Sequence, residues 1–191
     1  MLTGWDIKVT GMAFDNLTCT LYNVMFMDAQ FWSAIDEEHI LIFQTDCIMF
    51  RGVDPSWLRF DYVGANYYTW MDQAPRVKGI QGGFSLRRKS AMLRCIQDVP
   101  VHKMQMYREL HRKPHLEVIK EDVYFTHACE ILELNVPSEE DRPKFSLEVD
   151  YYPYTVGHHG FVHGYFTTEQ AKELIQHARK PTTYQPEDRP E

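Results

Sequence analysis

The chain has 191 residues, 44% of them hydrophobic and 25% charged, with 20 Lys and Arg against 27 Asp and Glu and a formal charge of −7. That length fits one domain with a sizeable core, while the acidic balance argues against bulk binding to nucleic acid or an anionic membrane surface, both of which need a basic face. The 4 Trp, 11 Tyr and 11 Phe exclude disorder for most of the chain, and no apolar run approaches the roughly 18 residues of a membrane span.

The opening MLTGWDIKV lacks a basic start followed by an apolar stretch, which predicts no secretory signal. Ile7–Thr10 reads as a short strand before Gly11. From Leu21 to Ile35 the apolar residues Val24, Met25, Met27, Phe31, Trp32 and Ile35 follow a spacing nearer to helical than to alternating, which predicts one helix. His39–Phe43 is a continuous apolar run, as expected of a strand covered on both faces, and it leads straight into Gln44-Thr45-Asp46. Phe60–Gly64 reads as a second strand, and Asn66–Val77, with Tyr67, Tyr68, Trp70 and Pro75, as an aromatic loop. The backbone then passes Gly82-Gly83 into a strand at Phe84–Leu86. Ser90 is placed to cap a helix that buries Met92, Leu93 and Ile96.

Glu121-Asp122 opens another helix, with Val123, Ala128 and Leu132 on it, and Phe145–Val149 alternates as a strand does. Thr167-Thr168-Glu169-Gln170 fits a capping box, followed at helical spacing by Ala171, Leu174, Ile175 and Ala178. There are no internal repeats, so the expectation is a single domain over 1–179 and a disordered, Pro-rich acidic tail over 180–191. Strands mixed with helices predict an α/β fold in helix–sheet–helix layers. Cys19, Cys47, Cys95 and Cys129 form no CxxC pair and no zinc spacing. They predict free thiols in a reducing, cytoplasmic setting rather than a disulfide scaffold.

Four segments can carry chemistry. Asp46 follows a buried strand, where open α/β sheets place ligands, and suits a divalent cation that neutralises phosphate; the commoner use of such an Asp is to form a turn with its own backbone. Gly82-Gly83 permits close approach of a ligand or of another backbone, or simply a tight turn. The following Arg87, Arg88, Lys89 and Arg94 can meet an anionic substrate or form a solvated helix end. Glu121-Asp122 suits a helix N-terminus electrostatically, and a general base there needs burial or a neighbouring anion to bring its pKa toward neutrality. Gly157-His158-His159-Gly160-Phe161-Val162-His163 places three histidines in one short segment, a candidate metal or phosphate site. There is no GxSxG elbow and no HExxH, and Cys47 has no catalytic setting. Tyr67, Tyr68, Trp70, Tyr151, Tyr152 and Tyr154 can stack on sugar rings or pack a core.

The strings FWSAI, ILIFQTDCIMF, FDYVGANYY, QGGFSLRRKSAM, EDVYF, FSLEVD and GHHGF, in this order, resemble a family of glycosyltransferase-like domains catalogued as a domain of unknown function within the GT-A superfamily. The resemblance runs from about Leu21 to Tyr165, and its motif order is similar to that of Fringe-type and β-1,3-galactosyltransferase-like enzymes. It implies a three-layer domain with a mixed, mostly parallel sheet, and transfer of a sugar from a nucleotide-diphosphate donor to a carbohydrate or other hydroxyl acceptor, with inversion. Asp46 would match the last Asp of a DxD motif and hold Mn²⁺ or Mg²⁺, with His159 or His163 as the second ligand; Gln44 stands where the first Asp would be. Thr45 and Arg87 would join Asp46 on the donor side. Asp61, Trp70, Gly82 and Gly83 would line the substrate side, and Asp122 would be the base, supported or replaced by Glu121. Only 45 residues precede Asp46, so the βα unit with which GT-A enzymes grip the nucleotide base is expected to be missing or trimmed. The alternatives are a non-catalytic sugar-binding or assembly module on the same fold, and a phosphate-handling hydrolase built on Asp46 and the histidines.

Overall fold

The apolar run His39–Phe43 forms strand β1 in the computed structural model, which describes residues 16–69, 77–103, 119–161 and 166–178. The strand expected at Ile7–Thr10 and the tail from 180 lie outside the described residues. β1 pairs antiparallel with β6 (Phe84–Arg88), in a register running from Phe43 opposite Phe84 to His39 opposite Arg88. The other edge of β6 pairs antiparallel with β3 (Tyr62–Val63), giving a three-stranded sheet in the order β1-β6-β3. Side chains alternate across it with period two. Phe84 and Leu86 join Cys47, Phe60, Val63, Phe145 and Val156 in a cluster on one face. Arg87 points the other way, among the rings of Phe26, Trp32, Tyr62 and Phe125.

That second face is covered by helices α1 (Cys19–Phe26), α2 (Ala29–Ser33), α3 (Lys89–Asp98) and α4 (Glu121–Ile131). Phe26, Trp32, Ile42, Tyr62, Met92, Cys95, Tyr124, Phe125 and Ala128 form its core. The single helix expected over Leu21–Ile35 is broken in two, because the Asp28 carboxylate accepts the Gln30 N–H at 2.9 Å and starts a new helix. The Trp32 indole then donates to the carbonyl of Phe26 at 2.7 Å and fixes the bend. Ser90 does not cap α3, which begins one residue earlier without a side-chain cap; its hydroxyl donates to Glu38 instead.

Two smaller sheets complete the fold. β2 (Ile48–Met49) pairs antiparallel with β8 (Gly157–His158), which pairs in parallel with β7 (Ser146–Leu147). Within the segment read as an aromatic loop, Asn66–Thr69 instead forms β4, which pairs antiparallel with β5 (Val77–Ile80), beginning at that segment's last residue. The expected strand at Phe145–Val149 shrinks to β7, because Pro143 helps start a short helix, α5 (Arg142–Phe145), just before it. Among the described residues the fold is therefore mixed α/β with small sheets, and only β7–β8 is parallel, against the mostly parallel sheet expected. Helix α6 (Thr168–Ala178) begins with the expected capping box: the Gln170 N–H donates to Thr167 Oγ1 at 3.2 Å, and the Thr167 N–H to Gln170 Oε1 at 2.9 Å. It buries Leu174 against Phe50 and Leu147. No helix among the described residues is long and apolar enough to cross a membrane.

Candidate functional site

Beyond β1 the backbone stays stitched to the start of β6. The Gln44 N–H donates to the Gly83 carbonyl at 3.0 Å, the Cys47 N–H closes back on Gln44 O at 3.0 Å, and the Cys47 thiol donates to Gly83 O at 3.2 Å. This turn holds Asp46 partly exposed, with Oδ1 3.7 Å from His159 Nε2. His159 arrives from the far end of the chain: its N–H donates to Leu147 O at 3.0 Å, so its backbone continues the β7–β8 pairing. Its ring lies on Gly83, where a Cβ would come within 2.2 Å of Cδ2 and 2.4 Å of Nε2. Gln44 Oε1 is 3.0 Å from Nε2 and Gln81 Nε2 is 3.4 Å from it. Gln81 is itself oriented by accepting the Gly83 N–H at 2.5 Å.

The other side of the Gly-Gly pair meets α4. A Cβ on Gly82 would stand 2.2 Å from Glu121 Oε1 and 2.6 Å from Arg87 Nη2. Arg87 and Glu121 form a bidentate ion pair at 2.6 and 3.0 Å, with both side chains buried. Arg87 also reaches the Gly82 carbonyl at 3.3 Å, and its guanidinium lies 4.7 Å from the Tyr62 ring centre and 5.3 Å from that of Phe26. Burial acts to lower the Arg87 pKa, but the Glu121 carboxylate more than offsets it and holds the guanidinium firmly charged. The Glu121 N–H donates to Asn23 Oδ1 at 2.7 Å, tying α4 to α1.

Asp122 stands next on α4, its Oδ1 accepting the Val123 N–H at 2.8 Å. Burial, followed by the Glu121 charge, pushes its carboxyl from 3.8 up to about 6. Burial, followed by the Glu121 charge, pushes the Tyr22 hydroxyl of α1 up to about 12. One acid–imidazole pair, Asp46–His159, thus stands at Gly83, and a second pair begins with Glu121 at Gly82, Asp122 following it on α4. Such an arrangement can hold a cation or an anion-bearing ligand at the first pair and a proton acceptor at the second.

The model of a family described as a protein of unknown function (DUF5672) matches residues 10–165. The chain belongs to the DUF5672 family. The matched span contains every residue of this cluster. No curated protein and no solved structure matches the chain.

Other residues of this DUF5672 chain singled out from the sequence fall elsewhere. Thr45 is exposed in the turn beside Asp46. Asp61 sits at the opposite end of β6 from Gly83, where it pairs with Arg88 at 2.9 Å and accepts the Asn135 N–H at 2.8 Å. Arg87 is fully buried, and both of its Nη atoms reach Glu121. Trp70 and His163 lie outside the described residues. Of the adjacent histidines, His158 turns into the core edge-on to Phe161 and Phe166, and burial pulls it down to about 4, a neutral packing residue. Burial pushes the Cys47 thiol up to about 12, which makes it a poor nucleophile. All four cysteines carry free thiols. Gln44, Gln81 and Glu148 join the site around His159; each lies in one of the strings quoted above, but nothing in those strings marks it as a neighbour of the histidine. Among the described residues no group of three or more His, Cys, Asp or Glu side chains is arranged to hold a metal ion.

Proposed function

We propose that the chain is a glycosyltransferase that moves a sugar from a nucleotide-diphosphate donor to an acceptor hydroxyl, with inversion, on a GT-A-like scaffold. The observation that carries this reading is the placement of the Asp46–His159 pair at Gly83 and of Glu121, the neighbour of Asp122 on α4, at Gly82. The Asp46 oxygen suits Mn²⁺ or Mg²⁺, and the imidazole nitrogen 3.7 Å from it favours the softer Mn²⁺; either ion would keep water and phosphate oxygens in its remaining positions. A metal held by Asp46 and His159 would supply charge neutralisation to the leaving diphosphate. Asp122, with its carboxyl near 6, is substantially ionised at neutral pH yet basic enough to take the proton of an acceptor hydroxyl. Glu121 is held by Arg87 and cannot turn toward an acceptor without breaking two charge-assisted hydrogen bonds, so its part is to place Asp122 and raise its basicity.

A panel of nucleotide sugars tested with and without Mn²⁺ checks the reading. Turnover that depends on Mn²⁺, is lost in Asp46→Ala, and is lost in Asp122→Asn with donor binding retained is the expected result. A second reading is a sugar-binding module without catalysis. It is favoured by Gln44, which occupies the position of a first metal-binding Asp, and by a metal pair of two protein groups rather than three. Glycan binding indifferent to nucleotide and to Mn²⁺ would select it.

A further inference from the structure

Glu148, in the FSLEVD string, stands in the bend after β7, and its carboxylate faces the back of the His159 ring. Glu148 Oε2 and His159 Nδ1 are both buried without a hydrogen-bond partner, and they lie 3.9 Å from each other. Buried polar atoms are nearly always satisfied, and these two are each other's nearest complement in charge and chemistry. The front of the ring indicates which nitrogen carries the proton. Gln81 Oε1 accepts the Gly83 backbone N–H, which can only donate, so the Gln81 amide is fixed with its NH₂ group toward His159 Nε2 at 3.4 Å. That contact requires a lone pair on Nε2. A neutral imidazole with a lone pair on Nε2 has its single proton on Nδ1, on the Glu148 side. The 3.0 Å contact between Gln44 Oε1 and Nε2 agrees with this tautomer when the oxygen and nitrogen of the Gln44 amide exchange places, which puts its NH₂ toward the same lone pair.

We propose that Glu148 is a positioning residue: it accepts the Nδ1 proton of His159, by a small contraction of the gap or through one water, and so fixes the tautomer whose bare Nε2 faces Asp46. The inference rests on the function proposed above, for which a bare Nε2 is what a metal ligand needs, and carboxylates behind ligating histidines commonly set this tautomer. It places Glu148 in the same relation to His159 as Glu121 has to Asp122, an acid behind the group that meets the ligand.

Two-bond ¹⁵N–¹H correlation spectra of the ¹⁵N-labelled full chain test this, free of metal and nucleotide and at a pH where the imidazole is neutral. The His159 signals are assigned by their absence in His159→Gln. The wild-type protein is expected to show the Nδ1–H pattern, with the Nδ1 proton shifted downfield. Glu148→Met is expected to give a mixture or the Nε2–H form. Glu148→Gln, which keeps shape and an acceptor oxygen, is expected to retain the tautomer while the Nδ1 proton signal moves upfield as the charged acceptor is lost. An Nε2–H pattern in the wild type, an unchanged pattern in Glu148→Met, or an unmoved Nδ1 signal in Glu148→Gln would overturn the proposal. Because no donor, metal or turnover enters the measurement, its failure is separate from failure of the glycosyltransferase reading.

Discussion

At Asp122 burial and the charge of Glu121 both favour the protonated carboxyl, and stability and chemistry pull in opposite directions. The folded-state value of about 6 lies above the 3.8 of a free carboxyl, so the native state binds this proton more tightly than the unfolded chain does. The contribution is fully present below about pH 4 and is lost as pH rises through 6. Asp122→Asn is therefore expected to stabilise the protein at pH 7.5 by on the order of 1–2 kcal/mol, discounted for partial exposure, with little change at pH 4. Urea titrations at the two pH values measure this, and an equal effect at both would contradict the assignment. Transfer should move the other way: an acid limb near pH 6 in kcat/KM for the wild type, and no transfer in the variant. Gly83 permits a second test at the same scale. In Gly83→Ala the new methyl would meet the His159 ring, so the ring must move; a loss of about 1–3 kcal/mol together with loss of donor turnover is expected. A variant of wild-type activity would show that the placement of His159 is immaterial.

Between elements, the Arg87–Glu121 pair decides where α4 begins relative to β6. Removing Arg87 leaves a buried carboxylate unpaired, so Arg87→Leu should cost about 3–5 kcal/mol, whereas Arg87→Leu combined with Glu121→Leu should cost much less than the sum of the single changes. A double-mutant cycle in urea reads this coupling, and additive effects would mean the pair does not act as a unit. Elements whose signals are local were legible: β1 from its unbroken apolar run, although it is an edge strand with Ile42 buried and Phe43 exposed rather than covered on both faces, α6 from its capping box, and α4 from the acids at its start. Elements decided by a competing side chain or a distant partner were not. Asp28 looks like any polar residue inside a helical pattern until its carboxylate is seen on the Gln30 N–H. β4 becomes a strand through its pairing with β5 across a stretch dense in aromatics, which no local preference reveals.

Over the whole molecule, the site forms at the Gly82-Gly83 end of β6, between α4 of the helix layer and the β7–β8 pair, which packs on the opposite face of the central sheet. Gln44 and His159, in hydrogen-bond contact, are 115 positions apart in the chain, and Arg87 and Glu121 are 34 apart. The order of motifs pointed to Asp46, Gly82-Gly83, Glu121-Asp122 and His159; His159 and Glu121 meet the Gly-Gly pair, with Asp46 beside His159 and Asp122 next to Glu121 on α4. The supporting roles behind them were not legible in the sequence, because Glu148 reads as the polar position of an alternating strand and Arg87 as a donor-side cation rather than the buried partner of Glu121. Each acquires its meaning only from a partner that folding delivers. The most direct test of the central claim is calorimetric titration of the Mn²⁺-loaded chain with nucleoside diphosphates, wild type against Asp46→Ala, followed by nucleotide-sugar turnover by the wild type and Asp122→Asn. The account predicts Mn²⁺-dependent binding that Asp46→Ala abolishes, and turnover that Asp122→Asn abolishes while binding survives. Binding of no nucleoside diphosphate, or binding and turnover unchanged in both variants, would contradict it.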